Sequence, residues 1–332
     1  MNKLLVPTDF SECASNALRF ATRLNTPIML MSAYLQPSAA APVPLSVVKE
    51  DNQERVNELY ARLSDLSEVT RTAGVNCDIL AVEGMPGETI VSAAVEQGVD
   101  LLVMGSQGEN TLSGAILGST TTHVIEKANC PVLVVPFDYQ PDTPIRQITY
   151  ATNYAEGDKA SIAQTASIAK QLGASVLILH VAENEEAMEQ ERQRLNAFKQ
   201  EILGVVTYPK ISFELKQGNV EAVIMAQMVA GTTDLLALNT RHRGFWGRLF
   251  GHSLTRDLTM TAHLPVLAFH HWSVGSPSIL NFQLSKWGGG SRNRKKWFKE
   301  TARDFLCGRV GGRGWCKRLN SQLSILNSQF SI

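Results

Sequence analysis

Asp100-Leu-Leu-Val-Met-Gly105 recurs 134 residues later as Asp234-Leu-Leu-Ala-Leu-Asn239, and the spacing holds well beyond these two strands. Glu83-Gly84 to Pro131 aligns on Gln217-Gly218 to Pro265 without a gap, Ile90 falling on Ile224 and Cys130-Pro131-Val132-Leu133 on Leu264-Pro265-Val266-Leu267. A constant offset over so long a stretch marks a duplicated unit. Upstream of each copy an apolar segment stops at a turn, Leu4-Leu5-Val6-Pro7-Thr8-Asp9-Phe10 and Ile148-Thr-Tyr-Ala-Thr-Asn-Tyr154. An Ala-rich amphipathic helix follows each, Ser11 to Leu24 and about Lys159 to Leu172, with Ser11 placed to cap and Glu12 suited to the first turn. Next come continuous apolar runs of strand length, Pro27 to Ala33 and Ser175 to Val181, as parallel strands covered on both faces require.

Each copy reads β-α-β-α-β-α-β-α-β, its second helix long and charged (Val47 to about Thr70, and Glu183 to about Leu203). The expected class is α/β: two tandem doubly wound, Rossmann-like domains with parallel sheets, over 1–140 and 145–272. The apolar last strands, Pro131 to Val135 and Pro265 to Phe269, are edges that must be covered. Paired with one another they would make an intramolecular pseudo-dimer, which leaves both a monomer and a further homodimer open.

The chain has 332 residues with 31 basic and 31 acidic side chains, but the zero balance hides a split. Residues 273–332 carry 11 Lys+Arg against 2 Asp+Glu, leaving 20 against 29 in residues 1–272. The same tail holds Trp287, Trp297 and Trp315, glycine clusters and a near-repeat of Leu319 to Ile325 in Leu326 to Ile332, with no sustained periodicity. Cations among aromatics suit single-stranded nucleic acid, but the expectation is a basic, low-complexity, disordered appendage without that role. With 44% hydrophobic and 19% charged residues and no apolar run of membrane-spanning length, no membrane association is expected. The first residues show no secretory apolar segment, and five cysteines without a C-x-x-C pair fit a reducing, cytoplasmic setting. The seven histidines have no metalloprotease-type spacing, and no metal ligand is expected.

Ligands of open parallel sheets bind beyond the carboxyl ends of the strands. There the first copy carries Met104-Gly105-Ser106-Gln107-Gly108-Glu109-Asn110 and then Gly118-Ser119-Thr120-Thr121-Thr122, a Gly-x2-Gly-x9-Gly-Ser spacing in which the second part opens a helix. Gly105 and Gly108 are expected to turn with positive φ and to let a ligand approach the backbone. Gly118, Ser119 and Thr120 would offer amides and hydroxyls to a phosphate at a helix N-terminus. From spacing alone, ordinary turns and a phosphate cradle both remain open. The loop is neither a Walker A motif nor a G-x-G-x-x-G fingerprint. Asp9 likewise reads as a ligand acceptor or as a helix-capping acid. Cys13, Cys77 and Cys130 read as core residues.

On these residues the chain resembles the universal stress protein family, whose ATP-binding motif is Gly-x2-Gly-x9-Gly-Ser/Thr; Gly105, Gly108, Gly118 and Ser119 match it. Val6-Pro7-Thr8-Asp9, Gly84-Met85-Pro86 and Pro131 to Val135 fit the family's framework, and the resemblance covers about 1–272. It implies a tandem protein with the adenine nucleotide alpha hydrolase-like fold and ATP, with or without Mg²⁺, in the first domain. It implies that Pro7, Thr8 and Asp9 line the adenosine side, that Ala33 near Ser32 meets the adenine, and that Met104 and Gly105 flank ribose and phosphates. Glu109 is the one acid in the loop, and no protein ligand to a cation is assigned. The implied role is a nucleotide-dependent stress-response regulator acting through an unidentified protein partner. A nucleotide-free interaction module and a weak ATPase are the rival readings. Without a lysine clamp in the loop, slow hydrolysis is the most catalysis expected.

The second copy departs from the motif. Gly105, Gly108 and Gly118 become Asn239, His242 and His252, Pro7 becomes Ala151, Asp9 becomes Asn153, and only Ser119 keeps its partner, Ser253. Arg241, Arg243 and Arg248 with Phe245, Trp246 and Phe250 fill the segment, reading as an anion grip or as a solvated basic loop with an aromatic anchor. ATP binding is not expected there.

Overall fold

The structure, a computed structural model, describes residues 1–36, 45–108, 117–155, 157–239 and 264–270. The chain divides into units of 1–271 and 272–332, and the basic tail lies outside the described residues.

The first half comprises β1 (Leu4–Pro7), α1 (Glu12–Thr22), β2 (Ile28–Tyr34), α2 (Leu45–Thr72), β3 (Cys77–Glu83), α3 (Pro86–Glu96), β4 (Leu101–Gly105), α4 (Ser119–Lys127) and β5 (Val132–Val135). The second comprises β6 (Gln147–Ala151), α5 (Asp158–Leu172), β7 (Ser175–Ala182), α6 (Met188–Val205), β8 (Ile211–Gln217), α7 (Val220–Val229), β9 (Leu235–Asn239) and β10 (Val266–Phe269). The fourth helix expected of this half falls outside the described residues. Three helices differ from their expected bounds: α1 stops at Thr22 rather than Leu24, α2 is longer at both ends, and α6 begins five residues later than Glu183, after a turn in which Asn184 accepts from the Ala187 amide.

The strands form one ten-stranded sheet in the order β3-β2-β1-β4-β5-β10-β9-β6-β7-β8. Every pair is parallel except β5 with β10, where Leu133 faces Leu267 and Val134 faces Val266. The two apolar edges thus cover one another, and the halves share a sheet. β1 shows why helices lie on both faces. Leu4 and Val6 pack with Ala17 and Phe20 of α1, while Leu5 packs with Ile90 of α3 and Val124 of α4. The α1-side core runs unbroken across the seam, from Phe20 through Leu133 and Leu267 to Tyr150 and Ile162.

The connector between halves is held on α1. Arg23 donates to the carbonyls of Pro141 and Thr143 at 2.8 and 2.9 Å, and Asn16 donates to that of Phe137 at 3.2 Å. Cys13, Cys77 and Cys130 are free, buried thiols.

Candidate functional site

Strand order reverses between β1 and β4, which opens a cleft at their carboxyl ends. Its floor comes from the turn after β1. Thr8 is buried, and its Oγ1 accepts from the Phe10 amide at 2.9 Å, holding Phe10 at φ 66°. Arg62 of α2 lies over the Phe10 ring, 3.9 Å from its centre. Asp9 accepts from the Ser11 amide at 3.1 Å and hydroxyl at 2.6 Å, and Ser11 in turn caps α1 through the Ala14 amide. Asp9 therefore supports the helix cap while it lines the cleft.

Across the cleft, Gly118 is the N-cap of α4 and supplies no side-chain cap. Its own amide donates to the Ser106 carbonyl at 2.8 Å, and Thr121 Oγ1 donates to the Gly105 carbonyl at 2.9 Å, which ties the helix start to the end of β4. The first amides of an α-helix have no partner within it, so those of Ser119 and Thr120 begin at the cleft wall.

Pro7, Thr8, Asp9, Ala33, Met104, Gly105, Gly108, Gly118, Ser119 and Thr120 all line one cavity of about 300 Å³. That is the lower end of the range for small-ligand pockets, about 300–1,000 Å³. Five further residues line it: Ala14, Pro86, Ile90, Gln107 and Thr121. Pro86 and Thr121 sit inside motifs visible in the sequence, whereas Ala14 and Ile90 are brought in by the packing of α1 and α3 on the sheet. Glu109 lies outside the described residues. Among the described residues, no group of three or more His, Cys, Asp or Glu is placed to hold a metal ion.

The glycines act for a reason other than the expected one. Neither Gly105 nor Gly108 has a positive φ. A β-carbon at 105 would lie 2.6 Å from Cys13 Sγ and 3.1 Å from the Cys13 backbone, and one at 108 would lie 2.7 Å from the Asp9 carboxylate. Closeness of neighbours, not handedness, distinguishes both positions: at 105 a side chain meets the Cys13 backbone, and at 108 it meets the movable end of Asp9. The cradle fits a polyanion in this respect: bare backbone at β4, an uncapped helix start and two hydroxyls face one cavity.

The second half has its own cleft, about 850 Å³, at the ends of β6, β7 and β9. Strand register puts Thr152 in place of Thr8, Val181 in place of Ala33 and Leu238 in place of Met104. Thr152 repeats the Thr8 turn, accepting from the Tyr154 amide at 3.0 Å with Tyr154 at φ 61°. The Cys13–Gly105 contact is inverted in size, with Gly157 and Asn239 at the matching positions. Where the first half has Ala14, the second buries Asp158 completely, accepting from Tyr150 at 2.8 Å, Thr152 at 2.6 Å and the Ala155 amide at 3.1 Å. Burial, then the Asp158 charge, pushes the Tyr150 hydroxyl far up. At Ser32's position stands His180, its Nδ1 2.8 Å from the Thr152 carbonyl, its Nε2 3.2 Å from Glu191 and its ring stacked on Tyr154 at 4.2 Å. These residues come from three separate elements, and nothing in the sequence spacing joins them. His242, His252 and the Arg241–Phe250 cluster lie outside the described residues.

A doubly wound sheet present twice, with a glycine loop and an open helix start at the switch point of its first copy, defines a duplicated doubly wound α/β protein. The universal stress protein family model matches residues 1–136. A universal stress protein of Methanocaldococcus jannaschii is 32% identical over 151 residues, covering 40% of this chain and 93% of the relative. The chain belongs to the universal stress protein family. Its doubled architecture is similar to the crystal structure of a universal stress protein from Archaeoglobus fulgidus, at TM-score 0.60 and 17% identity over 82% of this chain and 97% of that one. A protein of unknown function from Pseudomonas aeruginosa is similar at TM-score 0.56 and 16% identity, over 86% and 98%. Among the described residues no helix is long and apolar enough to cross a membrane.

Proposed function

We propose that the first half binds ATP or another adenine nucleotide and that the chain acts as a nucleotide-dependent stress-response regulator. The observation that carries this reading is the meeting of α4's uncapped N-terminus with the side-chain-free end of β4 around one cavity. Phosphates lie against the amides and hydroxyls of Ser119 and Thr120, where the helix dipole favours negative charge. The adenosine lies between Pro7, Thr8, Ala33 and Met104, with Asp9 accepting from it. Mg²⁺ accompanies the triphosphate without a protein carboxylate assigned to it. The two rival readings, a nucleotide-free interaction module and a slow ATPase, remain tests of this one. Free buried thiols suit a reducing cytoplasm, and occupancy of the cleft alters a surface that a protein partner reads. The β5–β10 seam makes each chain its own pseudo-dimer, so further homodimerisation uses other surfaces.

Titrating the protein with ATP in a calorimeter tests the reading. Saturable heat is expected, lost in Gly118→Val, whose branched side chain enters the phosphate end. Absence of heat at millimolar ATP, or retention of full affinity in the variant, overturns it. A turnover rate with Mg²⁺ no faster than buffer removes the ATPase reading.

A further inference from the structure

The ten-stranded sheet ends in two edge strands, β3 and β8. On β8 the bonds to β7 fix which backbone groups are free. The Val176 amide donates to the Lys210 carbonyl at 2.8 Å, and the Gly218 amide donates to the Ala182 carbonyl at 2.9 Å. Parallel pairing alternates along a strand, and the register runs unbroken from Ile211 to Gln217. Ser212, Glu214 and Lys216 therefore turn their backbone groups toward β7 as well. Ile211, Phe213, Leu215 and Gln217 turn theirs to the edge, where no strand among the described residues meets them. Such a row is a template for a further strand.

Charged side chains ordinarily guard an edge; here their order selects a partner. Glu214 and Lys216 alternate with Leu215 and so share the α7 side of the strand. Lys216 Nζ stands 3.5 Å from Glu214 Oε1, and Gln227 of α7 donates to Glu214 Oε2 at 3.4 Å. Both charged side chains are partly exposed. A second β8, antiparallel about a two-fold axis at Leu215, presents the two in reverse order, so Glu214 meets Lys216 on both sides of the axis. These are positions without mutual backbone bonds, where antiparallel neighbours come closest, about 4.5 Å between Cα atoms. The free groups of Leu215 meet those of its copy, and the free groups of Phe213 meet those of Gln217. On the α6 side the half-buried Leu215 lies on its own copy, next to Phe213. The adjacent two-fold registers oppose like charges: an axis at Glu214 sets that carboxylate on itself, and one at Phe213 sets Lys210 on Lys216. β3 offers no such match. Its charged residues, Asp78 and Glu83, are both acids, and Arg71 of α2 already donates to the Cys77 carbonyl.

We infer that the β8 edge takes a second copy of this chain, joined β8 to β8 in antiparallel register about Leu215 with reciprocal Glu214–Lys216 pairs. The contact is the same patch on both chains, so assembly through it closes at the dimer. The inference is independent of nucleotide binding by the first half.

Sedimentation equilibrium of the full chain, without nucleotide, is the test. The parent is expected at twice the mass of one chain. Glu214→Lys opposes lysines and Lys216→Glu opposes glutamates, and each weakens the dimer by about tenfold. The chain carrying both reversals regains the parent's dissociation constant, because the pairs form again with exchanged signs. Leu215→Pro gives single chains; the amide it removes faces the edge, so no bond to β7 is lost. Urea midpoints separate loss of pairing from loss of fold, and the double reversal decides the matter should the proline variant unfold. A parent of single-chain mass at high micromolar concentration overturns the inference. A dimer indifferent to Leu215→Pro and to both single reversals overturns it, as does a double reversal that restores nothing. Species growing beyond the dimer overturn it too, since they show open-ended pairing.

Discussion

Gly108 lies against Asp9, so close that a β-carbon on the glycine would come within 2.7 Å of the carboxylate oxygen. The glycine loop after β4 and the turn after β1 therefore set one another's positions, although they are a hundred residues apart. Gly108→Ala must displace the carboxylate, and because the atom met is the end of a side chain, the fold survives. ATP affinity is expected to fall about tenfold, some 1.4 kcal/mol, with an unchanged thermal melt. Asp9→Ala costs a similar factor. The double variant is no worse than either single one, since both remove one arrangement. Additive losses in calorimetry would show that the two residues act separately.

Gly105 meets harder neighbours. Its β-carbon would press on Cys13 Sγ at 2.6 Å and on the Cys13 backbone at 3.1 Å, at the buried start of α1. Gly105→Ala is expected to lower stability by about 1–3 kcal/mol, the range for overpacking a core. Adding Cys13→Ala recovers part of that by removing the sulfur, and the backbone contact keeps the rest. Urea unfolding of the three variants reads this directly; full stability of Gly105→Ala alone would contradict it.

The contrast between these glycines shows what the sequence discloses. Their spacing marked a loop at the end of a strand, and the residues named from it line one cavity together with Pro7, Thr8, Asp9, Ala33 and Met104, which the family resemblance implied. The physical reason was not legible, because contacts of Gly105 with Cys13 and of Gly108 with Asp9 depend on how α1 packs beside β4. Expected positive φ values gave way to simple crowding. The sheet was legible as parallel and doubly wound through its continuous apolar strands, and the covering of β5 followed from its exposed edge. That both halves would merge into ten strands, with the α1-side core continuous across the seam, needed the register of Leu133 on Leu267. His180 looked like a scattered histidine because its partners, Glu191 and Tyr154, come from α6 and from the turn after β6.

Asp158 anchors that turn. It is fully buried and accepts from Tyr150, Thr152 and the Ala155 amide. Asp158→Ala leaves two buried hydroxyls, of Tyr150 and Thr152, and the half-buried Ala155 amide without their acceptor, each buried donor costing about 1–3 kcal/mol, and is expected to unfold the second half in part. Asp158→Asn keeps the shape and an acceptor oxygen and is expected to lose less. Circular dichroism in urea ranks the two. Equal stability of the alanine variant and the parent would mean the hydrogen-bonded group contributes nothing.

The seam predicts how the first half behaves without the second. β5 pairs with β10 through Leu133 on Leu267 and Val134 on Val266, all buried. Residues 1–140 alone would expose that apolar edge to a second copy. The fragment is expected to have twice its chain mass in solution, and Leu133→Lys to return it to a monomer. A parent fragment that stays monomeric at high micromolar concentration would mean the seam does not hold by its own edge pairing.

Cys130 gives the protein an alkaline limit whose sign follows from its burial. Burial first, and then the charge of Asp100, pushes its thiol up from 9.0 to about 12. Between these values the folded chain keeps a proton that the unfolded chain has released. Stability therefore falls as pH rises from about 9 to 12, with a slope from this one group of at most about 1.4 kcal/mol per pH unit. Below about 9 both states hold the proton and the contribution is complete. Tyr150 and Tyr154 are raised by burial too and add slopes of the same sign, so the parent is compared with Cys130→Ala. The small cavity left by the alanine shifts stability equally at every pH. The difference between parent and variant in urea midpoint is thus flat below pH 9 and closes above it. A difference that stays constant up to pH 11 would show that Cys130 ionises in the folded protein as easily as in the unfolded chain.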